Sequence, residues 1–166
     1  MKKNIVLIGM PGSGKSTVGK ALAEKIGYEY MDSDEVIVAR TGMELNALMA
    51  SVGLEGFLDI EGKVNSELCV SRCVIATGGS AVYRERAMQK LKETGHIVYL
   101  QLPYETIESR LGDLKARGVA IKEGYTLKDL FNERVPLYEK YAEITVALGG
   151  KTLSESVNAV VEALKE

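Results

Sequence analysis

Short apolar runs alternate with helical patterns along the whole chain. Asn4 to Gly9 reads as a buried strand, and Lys15 to Ile26 follows as a helix with Val18, Ala21, Leu22 and Ile26 on one face. After Gly27 the pattern predicts a short strand over Tyr28 to Met31, then helices over Ser33 to Arg40, Glu44 to Val52 and about Leu54 to Val70. Cys73 to Ala76 is a further strand that ends at Thr77-Gly78-Gly79-Ser80. Beyond it the spacing predicts a helix over Arg84 to Glu93, a strand over His96 to Leu102, and helices from Tyr104 to Leu111 and from Thr126 to Tyr141. Glu143 to Leu148 is the last strand, and Leu153 to Lys165 the last helix. That helix carries Leu153, Val157, Val160, Val161 and Leu164 on one face, and Thr152 with Glu155 fits a capping box at its start.

Five short strands separated by helices describe an α/β domain with a parallel sheet covered on both faces, whose ligands sit at the carboxyl ends of the strands. No repeat and no low-complexity tract interrupts the 166 residues, so a single domain over 1–166 is expected. The stretch from Gly112 to Tyr125 has no clear period and carries Lys115, Arg117 and Lys122 with Gly118 and Gly124. A loop of that length in a compact domain is usually a functional lid or a disordered segment.

Charge narrows the function classes. Twenty-one basic residues face 23 acidic ones, a formal charge of −2, which argues against a protein that coats nucleic acid. Any anion must be caught by a local site. The apolar run Ile5 to Ile8 is far too short for a membrane span, and Met1-Lys2-Lys3 leads into a strand without a cleavage site; a cytoplasmic protein with no membrane partner is expected. Cys69 and Cys73 read as two buried, reduced thiols, and the single histidine, His96, as a strand-start residue. Zinc chemistry and hydrolytic triads therefore drop out.

The strand ending at Ile8 runs into Gly9-Met10-Pro11-Gly12-Ser13-Gly14-Lys15-Ser16-Thr17, which satisfies G-x-x-x-x-G-K-[ST] and opens a helix. Glycines let successive backbone N–H groups turn inward around a phosphate, and the helix amino terminus adds its positive end. Gly12, Ser13, Gly14, Lys15, Ser16 and Thr17 are thus the nucleotide-binding set, with Lys15 on the β and γ phosphates of a nucleoside triphosphate and Ser16 a ligand of Mg²⁺. The loop is shared by kinases, switches and motors. A guanine-reading N-K-x-D segment is absent, and motors need longer chains. A small-molecule kinase needs an acidic group for the acceptor hydroxyl, cations for the acceptor and the transferring phosphoryl, and a lid. Asp32-Ser33-Asp34 places two carboxylates at the sheet's carboxyl edge, where one holds magnesium through water and the other takes the acceptor's proton. A helix cap is the competing role for either aspartate.

The phosphate loop, Asp32-Ser33-Asp34, Arg40-Thr41-Gly42, Thr77-Gly78-Gly79-Ser80-Ala81-Val82, the basic lid and Glu133-Arg134-Val135-Pro136-Leu137-Tyr138 together resemble the shikimate kinase family, in order and over essentially the whole chain. The resemblance implies a three-layer α/β/α P-loop kinase fold, sheet order 2-3-1-4-5, an acceptor-binding region over about 33–62 and a lid over about 112–125. It also implies a monomer that phosphorylates the shikimate 3-hydroxyl with Mg·ATP. By position, Asp32 would be the water-mediated magnesium residue and Asp34 the acceptor ligand and base. Phe57, Gly78 and Gly79 would line the acceptor pocket, Arg110 would lie against adenine, Arg117 would be the lid cation and Arg134 would pair with the acceptor's carboxylate. A bidentate guanidinium is the natural partner for a small carboxylate, so Arg134 fits on chemistry too.

The acceptor half departs from the family pattern. Where the family has a segment resembling G-E-x-x-F-R-x-x-E, this chain reads Gly53-Leu54-Glu55-Gly56-Phe57-Leu58-Asp59-Ile60-Glu61. Leu58 stands for the second carboxylate-clamping arginine, Leu54 for a glutamate networked with it, and Val38 for a further glutamate. Joint replacement by aliphatic residues predicts an apolar wall, since losing the arginine alone would leave carboxylates unpaired. Ser80 replaces a third glycine, and Leu148-Gly149-Gly150-Lys151 replaces a longer basic loop on the adenine side. Two other readings stay open: a kinase for another small hydroxylated acceptor such as a sugar acid, and a nucleotide-binding regulatory protein without acceptor chemistry.

Overall fold

The computed structural model describes residues 2–112 and 118–166. Five strands, β1 (Asn4–Ile8), β2 (Glu29–Asp32), β3 (Cys73–Ala76), β4 (Gly95–Gln101) and β5 (Ile144–Ala147), form one parallel sheet in the order β2-β3-β1-β4-β5. All residues of β1 and β3 are buried, as continuous apolar strands require when helices cover both faces. β2 and β5 form the edges, and most of their residues stay partly or fully exposed. The alternation of strand and helix dictates parallel pairing, because each strand needs a helical crossover to return beside its neighbour.

Helix α1 (Lys15–Ile26) packs against β1, β2, β3 and the last helix, α7 (Leu153–Lys165). α4 (Glu85–Thr94) and α6 (Leu127–Tyr141) lie against β4, and α3 (Leu45–Ser66) packs on α4 and on α2 (Ser33–Thr41). α5 (Tyr104–Arg110) leads toward the basic stretch. α6 and α7 both begin with complete capping boxes, Thr126 with Asp129 and Thr152 with Glu155.

Several sequence expectations shift. The two helices predicted on either side of Gly53 are both present, separated in α3 by the non-helical φ of 77° at Gly53, but the second ends at Ser66 rather than Val70. Ala81–Tyr83 forms a short 3-10 helix that the pattern did not reveal. Cys69 is exposed, not buried, because α3 ends before it and leaves it in the connection to β3; Cys73 is buried in the strand.

Two apolar clusters result. The larger joins the sheet to its helices around Leu7, Leu22, Ile75, Met88 and Val98. The smaller gathers Ile37, Leu48, Phe57, Leu58, Val64 and Ala120 beneath the acceptor-binding region. Leu7 is fully buried at the centre of β1, so Leu7→Ala should cost about 2–5 kcal/mol, against about 1 kcal/mol for removing the exposed cap with Thr152→Ala. Urea unfolding of the two variants tests that order; a larger loss for Thr152→Ala would contradict it.

Candidate active site

The carboxyl ends of β1, β2 and β3 deliver three segments to one cleft of about 350 Å³. From β1 comes the phosphate loop. Gly12 and Gly14 take φ values of 80° and 95°, a left-handed backbone that turns N–H groups toward a common hollow. α1 starts there with Gly14 as its N-cap, no side-chain cap and no acidic residue in its first turn, so its amino end is available to an anion. Lys15 is buried, and its Nζ donates to the carbonyls of Gly9 at 2.7 Å and Met10 at 2.9 Å. Burial lowers its pKa to about 8, with Asp34 opposing the shift. A phosphate beside Lys15 would restore the charged form.

From β2 comes Asp32, which caps α2 and keeps its second oxygen at the phosphate loop. Its Oδ1 accepts the backbone N–H of Asp34 at 2.9 Å and caps α2, while Oδ2 accepts the hydroxyl of Ser16 at 3.3 Å. The cap uses one oxygen and leaves the other beside the phosphate loop. A hydroxyl and a carboxylate oxygen together form the sparse, hard donor set that suits a Mg²⁺ completed by water and phosphate. Asp34 lines the cleft; burial first, and the charge of Asp32 second, raise its carboxyl to about pH 6, against the pull of Lys15.

From β3 comes Gly78-Gly79. A Cβ on Gly78 would stand 2.7 Å from Asp34 Oδ1 and 2.8 Å from Glu61 Oε2, and one on Gly79 would stand 2.8 Å from Arg134 Nη1 and 2.9 Å from Pro11 Cδ. No side chain fits at either position. The turn is anchored by the Thr77 hydroxyl donating to the Leu7 carbonyl at 2.8 Å, and by the Tyr138 hydroxyl donating to the Gly79 carbonyl at 2.7 Å.

Arg134 is 1% exposed, lines the cleft and has no carboxylate partner among the described residues. Its Nη2 donates to the Ala120 carbonyl and its Nε to the Tyr83 hydroxyl at 3.3 Å. Phe57 lies on the cleft wall with Leu45, Gly118, Val119 and Ala120. Arg110 donates to the Gly12 carbonyl at 3.0 Å and lines a second hollow with Ser13, Gly14, Thr17, Leu148 and Lys151. Gly14 and Thr17 line both hollows. Arg117 lies outside the described residues.

The apolar replacements do not line this cleft. Leu54 and Leu58 face a neighbouring cavity of about 140 Å³ with Tyr83 and Ala120. Leu58 is buried in the smaller apolar cluster, as expected of an apolar wall, whereas half-buried Val38 is not part of that cluster. Two residues of the site escaped sequence reasoning. Glu61 is buried in α3; its Oε1 accepts the Ser80 hydroxyl at 2.7 Å and its Oε2 has no partner. Tyr83 ends the 3-10 helix beside Arg134. The charged last position of the altered acceptor segment was the available signal for Glu61; nothing in the local pattern singled out Tyr83.

A P-loop beside a buried carboxylate and a buried guanidinium, on a 2-3-1-4-5 parallel sheet, defines a P-loop small-molecule kinase. The shikimate kinase family model matches residues 11–165. A shikimate kinase of Thermodesulfovibrio yellowstonii is 38% identical over 163 residues, 96% of this chain and 94% of that protein. Shikimate kinase 1 of Escherichia coli O139:H28 is 36% identical over 168 residues, 99% and 97% of the two chains. The structure of an Acinetobacter baumannii shikimate kinase in complex with shikimate superposes with a TM-score of 0.85 at 30% identity, covering 99% of this chain and 94% of that one. The chain belongs to the shikimate kinase family. It is a kinase, which sets aside the regulatory-protein reading.

Glu61 carries a stability consequence. Burial above all raises its carboxyl from 4.5 to about 7, although the Ser80 hydrogen bond opposes the shift. The folded chain therefore holds this proton more tightly than the unfolded chain. The associated stability is present at acid pH and is lost as pH rises from the unfolded value toward about 7. Glu61→Gln keeps an oxygen for Ser80 and should exceed the wild type in stability at pH 8 by on the order of 2 to 3 kcal/mol, with the difference vanishing near pH 4. Urea titrations across that range decide it; parallel curves for the two proteins would refute the assignment.

Proposed function

We propose that this chain transfers the γ-phosphoryl group of ATP to the 3-hydroxyl of shikimate, with Asp34 as the proton acceptor. The observation that carries this reading is Arg134, a buried guanidinium with only neutral partners among the described residues, in the same cleft as Asp34 and the phosphate loop. Burying a cation without a counter-ion is costly, so the cleft favours an acceptor that brings an anion. A hydroxylated carboxylic acid supplies that anion for Arg134 and a hydroxyl for Asp34.

In this scheme the loop amides of Gly12 to Thr17 and the amino end of α1 hold the phosphates, and Lys15 turns from the loop carbonyls to the β and γ phosphates. Magnesium, held by Ser16 and through water by Asp32, would neutralise phosphate charge and align the oxygens. Arg110 flanks the nucleotide base, and Arg117 would bring the lid's positive charge to the transferring group. Phe57, Gly78 and Gly79 shape the acceptor pocket, where the bare glycine turn admits the ring between Asp34 and Arg134. Asp34 takes the hydroxyl proton as the oxygen bonds to phosphorus; a carboxylate raised toward neutrality is a stronger base than an ordinary aspartate. Clustering of the charges in one cleft supports a small-molecule acceptor rather than a macromolecule.

A second acceptor class is favoured by one observation, the aliphatic side chains of Leu54 and Leu58 beside Tyr83 where the family pattern carries charge. With a single arginine for the carboxylate, shikimate binding should be weaker by roughly 1.5 to 3 kcal/mol than in a two-arginine site.

A coupled ADP-release assay over shikimate, quinate and gluconate tests the reading. Shikimate should give the highest kcat/KM, falling tenfold per pH unit below about 6 as Asp34 takes up a proton. Asp34→Asn should lower kcat by about 100-fold or more. No turnover with any acceptor would overturn the kinase chemistry assigned to this site, and preference for another acid would overturn only the shikimate assignment.

A further inference from the structure

With position 58 apolar, Arg134 meets an acceptor carboxylate alone, so the neighbours that fix its plane decide how well it does so. We propose that Tyr83 is the positioning residue for Arg134, and that Glu133 holds Tyr83 in turn; the inference rests on the acceptor reading above. Tyr83 ends the 3-10 helix that follows the glycine turn, so its backbone is tied to Gly78 and Gly79. Its ring lies 5.3 Å from the Arg134 guanidinium carbon, and its hydroxyl oxygen accepts the Nε–H at 3.3 Å. The same hydroxyl donates its own proton to Glu133 Oε1 at 2.8 Å. Glu133 is itself oriented, because Oε2 accepts the Tyr125 hydroxyl at 2.8 Å and lies 3.8 Å from Lys122 Nζ.

The direction of these bonds matters. A hydroxyl that donates to a carboxylate is polarised, and its lone pair becomes a better acceptor for a guanidinium N–H. Glu133 thereby acts on Arg134 without touching it. Two of the three guanidinium nitrogens are fixed, Nε by Tyr83 and Nη2 by Ala120, and a planar fork fixed at two points has a fixed plane. Nη1 faces Gly79 in the cleft, and the Tyr138 hydroxyl, which holds the Gly79 carbonyl, also lies within hydrogen-bond reach of the guanidinium. Leu54 and Leu58 line the adjoining cavity with Tyr83, and the cations on the same cavity engage other groups, Arg84 the carboxylates of Glu55 and Asp59 and Lys122 that of Glu133.

The test combines steady-state kinetics with the ¹⁵N signal of the Arg134 Nε–H group, identified by its disappearance in Arg134→Lys. Tyr83→Phe keeps the ring and loses the acceptor. It should raise the KM for shikimate about tenfold, leave kcat and the KM for ATP within about twofold, and shift or broaden the Nε–H signal. Tyr83→Leu also removes the aromatic face and should raise the same KM about 30-fold. Glu133→Gln should act in the same direction as Tyr83→Phe, more weakly. An unchanged shikimate KM and an unchanged Nε–H signal in Tyr83→Phe would overturn the proposal, as would a parallel rise of both KM values, which marks general loosening. If Tyr83→Leu does not fold, Tyr83→Phe alone decides. Should the wild type prove inactive toward shikimate, the acceptor assignment fails, and the Nε–H signal still decides the role of Tyr83.

Discussion

The site is organised around a turn with no side chains. Gly78 and Gly79 stand where any Cβ would lie within 3 Å of Asp34, Glu61, Arg134 or Pro11, so elements from distant parts of the chain meet over bare backbone. This close approach withdraws two carboxyls and one guanidinium from water around a single short segment. Each would be costly alone, and they are tolerated in different ways. Asp34 sits near the ammonium of Lys15, Glu61 holds a proton toward neutral pH, and Arg134 keeps its charge against neutral oxygens. The Thr77 and Tyr138 hydrogen bonds secure the turn to β1 and α6, which couples its position to the sheet.

A formal charge of −2 says nothing of this concentration. At physiological ionic strength, exposed charges beyond about 8 Å are screened, and buried ones much less so. The potential felt by an entering anion is therefore set by Lys15 and Arg134 within the cleft and by Arg110 at its rim, not by the sum over the surface. The same desolvation that raises Asp34 into the range of a useful base makes Lys15 and Arg134 strong anion sites. The raised carboxyl and the anion-attracting cations thus share one cause, burial at the same cleft.

Contiguous features were legible in the sequence because their geometry is local. The phosphate loop, its helix and the two capping boxes are each contained in a few residues, and the strands follow from short apolar runs. The sheet order and the pairing of Asp34 with Arg134 came from resemblance, since no spacing rule joins positions a hundred residues apart. Asp32 shows how a local rule can be right and incomplete: it caps α2 as its position suggests, yet its second oxygen serves Ser16. Glu61 and Tyr83 remained hidden because what matters about them is tertiary. Ser80 reaches Glu61 across 19 residues and Arg134 reaches Tyr83 across 51. Cys69 was misplaced for a related reason: the helix signal overran Ser66, and exposure follows from where α3 stops.

The aliphatic residues at 54 and 58 acquire a physical sense from the same arrangement. Leu58 closes into an apolar cluster with Phe57 and Ala120, while the nearby carboxylates of Glu55 and Glu133 are taken up by Arg84 and by Tyr83, Tyr125 and Lys122. Ala120 thus meets the acceptor region twice, through its methyl on that cluster and through its carbonyl on Arg134 Nη2. Because the guanidinium is rigid, the atom that faces the cleft and the atom that holds the carbonyl of Ala120 cannot move independently. An anion drawn onto Nη1 therefore bears on residues 118–120 through a single planar group, whereas a site with two arginines can divide anion binding and segment holding between them. Replacing charge by an apolar wall leaves one cation for two tasks, and the tyrosine beneath it becomes the means of keeping both aligned.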